Sequence, residues 1–349
     1  MSFYAYGREA ENRYRERFGL DFEEFAPGQR FLHRPGVTIT QQDNLDEALD
    51  TLNAAMLHYD ANYAARTSWK KPLMVSTITL QRLIGMSSKT FGRKREISGF
   101  KEIAMTAPVF GGDTLYAESE ILEVDAGADA DTGTVMVLCR GTNQENREVA
   151  RVTYRVAVYK RGRHPEDRTK PAERVAESRF ASHRQAEGGA WLEQVGLFFE
   201  DCRDGETFVH WPRRTLLRDE SMEHSYRSLE LAPQYHDLAW TQQHNQPFRF
   251  GEAWIITVAT AMTTRTFGRV VANLGWTDIE FHGRVAPGDT LESESTILGK
   301  RESKSRPNEG ILSVETRSHD QNGRPILSYK RNLLVYRRSA DTPYAGAGY

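Results

Sequence analysis

Cysteine is nearly missing: Cys139 and Cys202 are the only two in 349 residues. Neither sits in a CxxC or beside a His at ligand spacing, which excludes a disulfide-stapled scaffold and a cysteine-built metal site, and both are expected as reduced, buried thiols. Long apolar runs are missing too. No stretch approaches the roughly 20 residues that a membrane-crossing helix needs. Charge of one sign is also lacking. Lys and Arg number 46 against 48 Asp and Glu, a formal net charge of −2, so the basic stripe of a nucleic-acid protein is not present. The opening MSFYAYGREAENRYRERFG turns charged at once and offers no apolar signal core. The expectation is a cytoplasmic chain with no nucleic-acid and no membrane partner. Local basic clusters, Lys160 to Arg163 and Arg213-Arg214, read as solvated strand ends.

What is there is a repeat. FGRKREISGFKEIAMTAPVFGGDTLYAESEIL starts at Phe91, and FGRVVANLGWTDIEFHGRVAPGDTLESESTIL starts 176 positions later, at Phe267. They align without a gap, sharing Gly99 with Gly275, Ile103 with Ile279, and Gly112-Asp113-Thr114-Leu115 with Gly288-Asp289-Thr290-Leu291. Further on, Asn143 to Arg147 faces Asp320 to Arg324, and each leads into a β-rich run, Val152 to Tyr159 and Leu327 to Tyr336. A polar turn between two such runs predicts a hairpin, with Asn322-Gly323 as a two-residue turn. Each half therefore ends in an antiparallel meander.

Upstream of each copy lies a helix-length apolar segment, 73–90 and 249–266, predicted as a helix buried on nearly all sides and wrapped by the sheet that follows. This predicts an α+β chain of two tandem hot-dog folds. The boundaries are an N-terminal lobe over 1–162, an exposed linker over 163–190, a C-terminal lobe over 191–338 and a loosely ordered tail over 339–349. The two sheets are expected to join edge to edge, one chain standing in for a dimer of single copies.

These residues resemble the MaoC-like enoyl-CoA hydratases and dehydratases in their double hot-dog form. The likeness rests chiefly on Val271 to Trp276, Val285 to Leu291, Glu292 to Ser295 and Tyr329 to Arg338. It implies addition of water to, or its removal from, an acyl-CoA thioester, with a branched or dicarboxylic acyl group such as mesaconyl as the expected substrate. No cofactor is implied, CoA being part of the substrate, and the expected partner is a further copy of the chain in a homo-oligomer.

The family motif is similar to Gly-Asp-x-Asn-Pro-(aliphatic)-His with an Asp two positions later. In the first half, Leu57, His58 and Asp60 match it, while Asn53 stands where the catalytic Asp belongs. In the second half, Pro233 aligns with the motif proline, placing Glu230 at the Asp position and Tyr235 at the His position; a one-residue shift restores His236 instead. Hydration needs a group that takes a proton from water, one that protonates the α-carbon, and donors for the thioester oxygen. His58 is the first candidate for proton transfer. Asn53 cannot be a base, Asp60 is equally readable as a local cap, and Glu230 with His236 is the rival pair. For the oxygen, the resemblance points to the starts of the two central helices, Val75-Ser76 and Gly251-Glu252. Two other readings stay open: a hot-dog thioesterase using a carboxylate beside a helix N-terminus, and a non-catalytic acyl-CoA-binding subunit.

Overall fold

The computed structural model describes residues 2–339 and 341–344. In chain order, the first half runs β1 (Tyr6–Ala10), β2 (Arg13–Glu16), β3 (Arg30–Thr38), α1 (Gln41–Asp50), α2 (Ala61–Ala64), α3 (Ser76–Met86) and α4 (Ser88–Phe91). The meander β4 (Lys94–Met105), β5 (Thr114–Asp125), β6 (Thr132–Thr142) and β7 (Glu148–Tyr159) follows. Then come α5 (Pro165–Thr169), β8 (Glu173–Arg174), β9 (His183–Gln185) and β10 (Trp191–Glu193). The second half adds β11 (Thr207–Val209), β12 (Arg214–Thr215), α6 (Arg218–Ser228), α7 (Leu238–Gln243) and α8 (Glu252–Met262). It closes with β13 (Val270–Phe281), β14 (Thr290–Glu302), β15 (Glu309–His319) and β16 (Pro325–Tyr336).

The fold is a double hot-dog of α+β class, with both central helices where the apolar segments predicted them. Helix α3 lays Ile78 and Leu83 on the β4–β7 meander, and α8 lays Ile255, Val258, Ala259 and Met262 on the β13–β16 meander. Ser76, Thr77, Gln81, Arg82 and Gly85 of α3 and Glu252, Ala253, Thr257 and Ala261 of α8 are exposed, however, so each helix is covered on one side rather than on nearly all. Glycines let the layers meet. A Cβ on Gly133 would fall 2.5 Å from the Phe22 ring, and one on Gly310 would fall 2.3 Å from Phe199, the same contact made twice. The second hairpin is longer than a two-residue turn. Asp320 accepts from the N–H groups of Asn322 and Arg324, both 2.9 Å, and holds open a loop of several residues, as Asn143 does in the first half.

The sheets do not join edge to edge. One runs β4-β7-β6-β5-β3-β10-β9 and the other β13-β16-β15-β14-β11-β2-β1-β8, with β12 on β14, so β4 and β13 lie at outer ends with a single neighbour each. What unites the halves is an exchange of hairpins. β1 and β2, from the N-terminus, pair with the second sheet through a parallel β2–β11 junction, and β9 and β10 pair with the first through a parallel β10–β3 junction. Accordingly, part of the 163–190 stretch expected as an exposed linker is structural: Phe180 is 1% exposed in the second core and His183 is 3% exposed in β9 of the first sheet. The physical reason is that this stretch holds the second copy of β1, whose few apolar residues are spaced too sparsely among charges to read as a strand. In the tail, Tyr344 packs edge-on against Phe198; residues 345–349 lie outside the described residues.

Candidate active site

Between α1 and α3 the chain folds into a short 3-10 turn, Met56–His58, followed by α2. Buried Asn44 of α1 ties this turn to the start of α3. Its Nδ2 donates to the carbonyls of His58 (2.7 Å) and Leu73 (3.0 Å), and its Oδ1 accepts from Val75 N–H (2.8 Å). His58 Nδ1 lies 2.7 Å from the Leu73 carbonyl. A carbonyl only accepts, so Nδ1 carries the proton and Nε2 presents a basic lone pair. The half-buried imidazole is thereby held beside the N–H end of α3.

The other expected residues sort out by their partners. Val75 leaves the set of oxygen-binding donors, because Asn44 occupies its N–H; Ser76, exposed as the first residue of α3, stays in it. Asn53 Oδ1 accepts from Ala55 N–H at 3.0 Å, and Glu230 Oε1 accepts from Ala232 N–H at 3.3 Å, so the two equivalent positions make the same local turn bond. Asp60 caps α2 through Tyr63 N–H (2.9 Å), just as Asp237 caps α7 through Trp240 N–H (2.9 Å). That pairing fixes the register between the halves. The second turn is Pro233–Tyr235, which puts Tyr235 at the place of His58, while His236, one position on, bonds the Leu231 carbonyl at 3.0 Å and packs on Tyr226.

At the start of α8, Gly251 is the cap and Glu252 the first helical residue. Tyr235 donates its hydroxyl to Glu252 Oε2 at 2.7 Å. The second half thus replaces an imidazole near free helix N–H groups with a phenol and a carboxylate. An anion there repels the negative oxygen that hydration develops. Glu252 does line a cavity of about 470 Å3, with Phe250, Ile255, Phe281 and Val285. His58, Asn53, Asp60, Val75 and Ser76 line none of the four described cavities; the His58 side of α3 is an open face.

Sequence reasoning missed two sets of residues. Asn44 sits in a polar helix with no motif around it. The other set is a pair of buried networks. His33 Nδ1 bonds Glu193 Oε1 (2.9 Å) and its Nε2 bonds Ser119 Oγ (2.8 Å), while His210 Nδ1 bonds Glu16 Oε1 (3.1 Å) and its Nε2 bonds Ser295 Oγ (2.8 Å). Each carboxylate arrives on an exchanged hairpin. The signal was present: the repeat continues upstream, Phe31-Leu32-His33-Arg34-Pro35 answering Phe208-Val209-His210-Trp211-Pro212.

Comparison with known proteins finds one family match in each half. Residues 22–141 match the family described as MaoC like domain, and residues 182–348 match the one described as mesaconyl-CoA hydratase. The mesaconyl-CoA hydratase of Cereibacter sphaeroides is 33% identical over 162 residues, 43% of this chain and 44% of that protein. The beta-methylmalyl-CoA dehydratase of Chloroflexus aurantiacus is 29% identical over 157 residues, 42% of each. The matches thus span less than half the length of these relatives. Among solved structures, a MaoC domain protein dehydratase from Chloroflexus aurantiacus aligns over 92% of this chain and 98% of its own, at 19% identity and a TM-score of 0.40.

Proposed function

With a MaoC-like domain in its first half and a mesaconyl-CoA-hydratase-like region in its second, we propose that the chain is a carbon–oxygen lyase, a hydratase or dehydratase of acyl-CoA thioesters. The substrate of this reading is a branched or dicarboxylic acyl-CoA such as mesaconyl-CoA or β-methylmalyl-CoA. The observation that carries it is the Nδ1 bond from His58 to the Leu73 carbonyl, which leaves a basic Nε2 beside the start of α3.

In the proposed reaction, Nε2 takes a proton from water as its oxygen bonds the β-carbon. The double-bond electrons move toward the thioester oxygen, whose negative charge the first α3 N–H groups, Ser76 foremost, would hold. The resulting imidazolium then returns its proton to the α-carbon. Asn53 has no acid–base chemistry and Asp60 Oδ1 caps α2, so this reading gives both transfers to the imidazole. No cofactor is needed for this chemistry.

Mixing the protein with mesaconyl-CoA or crotonyl-CoA should bleach the enoyl-thioester absorbance. His58→Ala should cut the rate on the order of 10²- to 10⁴-fold, and His236→Ala should leave it within a few-fold. Equal loss in both, or no turnover of any branched acyl-CoA, would overturn the reading. Glu252, a carboxylate at the start of α8 facing a cavity, favours hydrolysis as the second reading. Free thiol released from acyl-CoA and abolished by Glu252→Gln would establish it.

The open face of α3 supports a homo-oligomer. Edge strand β4 has a single neighbour in its sheet, which leaves an edge for a second copy to pair along. Two free, buried thiols suit the reducing cytoplasm, which completes the proposal.

A further inference from the structure

The largest described cavity, about 510 Å3, lies between the lobes rather than at His58. Its lining comes in repeat-related pairs: Gly19-Leu20 with Gly196-Leu197, and Lys89 with Arg265. Phe18, Leu20, Met86, Phe180 and Leu197 make the walls apolar. Of the other cations around it, Arg17, Arg82 and Arg179 are each held by a carboxylate, respectively Asp21, Asp43 and Glu206, and Arg34 donates to the His33 carbonyl and lies over the Tyr116 ring.

Among the described residues Lys89 is in no ion pair, and the pair that Arg265 makes with Glu16 is a long one. Lys89 Nζ donates to a neutral acceptor, the Gln194 carbonyl. The Arg265 guanidinium lies 3.9 Å over the Phe18 ring, with Glu16 at 3.7 Å. Glu16, which also lines the cavity, and Glu193 behind it are hydrogen-bonded to other groups. Glu16 accepts from His210, Thr266 and Trp211 N–H, and Glu193 accepts from His33, Thr90 and Arg34 N–H. Burial pushes Lys89 down to about 8 against the pull of Glu193. Two desolvated cations thus share one apolar chamber, and an entering anion would relieve Lys89 first and add a second partner to Arg265.

We propose that this interlobe cavity binds a small amphipathic carboxylate, its head on Lys89 and Arg265 and its apolar body along Phe18, Leu20, Phe180 and Leu197. The volume falls within the range of small-molecule sites, roughly 300–1,000 Å3. The site is separate from His58, because Lys89 belongs to α4, beyond the C-terminal end of α3, whereas His58 neighbours its N-terminal end.

Calorimetric titration of the whole protein with octanoate and with octanol tests it. Octanoate should bind at least about tenfold more tightly than octanol, the value of a charge-assisted hydrogen bond. Lys89→Met and Arg265→Met should each weaken octanoate about tenfold and leave octanol unchanged, whereas Lys89→Arg should retain binding. The groups acting on Lys89 are Glu193 of β10, Glu16 of β2, Arg265, Arg269 and His183 of β9. Lys89 is the group that burial brings down to about 8, so affinity should fall as pH rises past about 8 in the unmodified protein and stay level in Lys89→Arg. Equal binding of octanol, binding of neither compound, or full affinity in folded Lys89→Met and Arg265→Met would overturn the proposal. If a Met variant fails to fold, the octanol comparison and the pH profile of the unmodified protein decide it.

Discussion

Asn44 shows how much of the candidate site hangs on one amide. A carboxamide alone offers both the donors that two carbonyls need and the acceptor that Val75 N–H needs, and at 0% exposure no water replaces it. Asn44→Ala should therefore destabilise the fold by about 1–3 kcal/mol, the cost of leaving buried polar groups unmatched. Under the hydratase reading it should also lower kcat at least about tenfold, because His58 loses its fixed placement beside α3. Denaturant titration beside steady-state kinetics separates the two. Activity at the unmodified level in the folded variant would show that Asn44 does not position the imidazole.

At the scale of elements, the exchanged hairpins make acid sensitivity a property of the lobe junction. Burial alone would raise the Glu193 carboxyl, but the His33 imidazole and the Lys89 ammonium outweigh it and hold it at about 2. Its contribution is present above the unfolded value near 4.5 and is lost as pH falls toward 2. Burial pushes His183, on the same hairpin, down to about 3, where Thr90 Oγ1 lies 3.1 Å from its Nε2. A neutral buried imidazole costs stability once the unfolded chain can take up a proton, so its loss begins below about 6.5 and continues toward 3. Both act in one direction. From pH 7 to pH 5, His183 alone should remove about 2 kcal/mol, at about 1.4 kcal/mol per pH unit. His183→Asn should flatten that slope in denaturant melts. An unchanged slope would mean that this imidazole is not buried neutral.

For the whole molecule, the outer strands matter most. β4 exposes Phe100, Ile103 and Met105, and β13 exposes Leu274, Trp276, Ile279 and Phe281. Long apolar edges with unpaired backbone groups invite another strand. Because the two are copies of one repeat element, each presents to a second molecule the surface its counterpart presents. Ile103→Lys combined with Ile279→Lys should convert an oligomer into monomers by size-exclusion light scattering, with the circular dichroism spectrum retained. A single-chain mass for the unmodified protein would refute association through these edges.

Fold class, both central helices and the two meanders were legible from residue order alone, because periodicity, turn chemistry and the repeat are local signals. Which backbone groups beside Asn53, Asp60, Val75 and Ser76 are already bonded was not legible, because Asn44 bonds Val75 N–H and Leu73 bonds His58 from distant positions. Nor did residue order reveal that Glu16 serves the second lobe and Glu193 the first. A hairpin with the same alternation can complete its own sheet or its twin's, and only packing of the assembled chain selects between them.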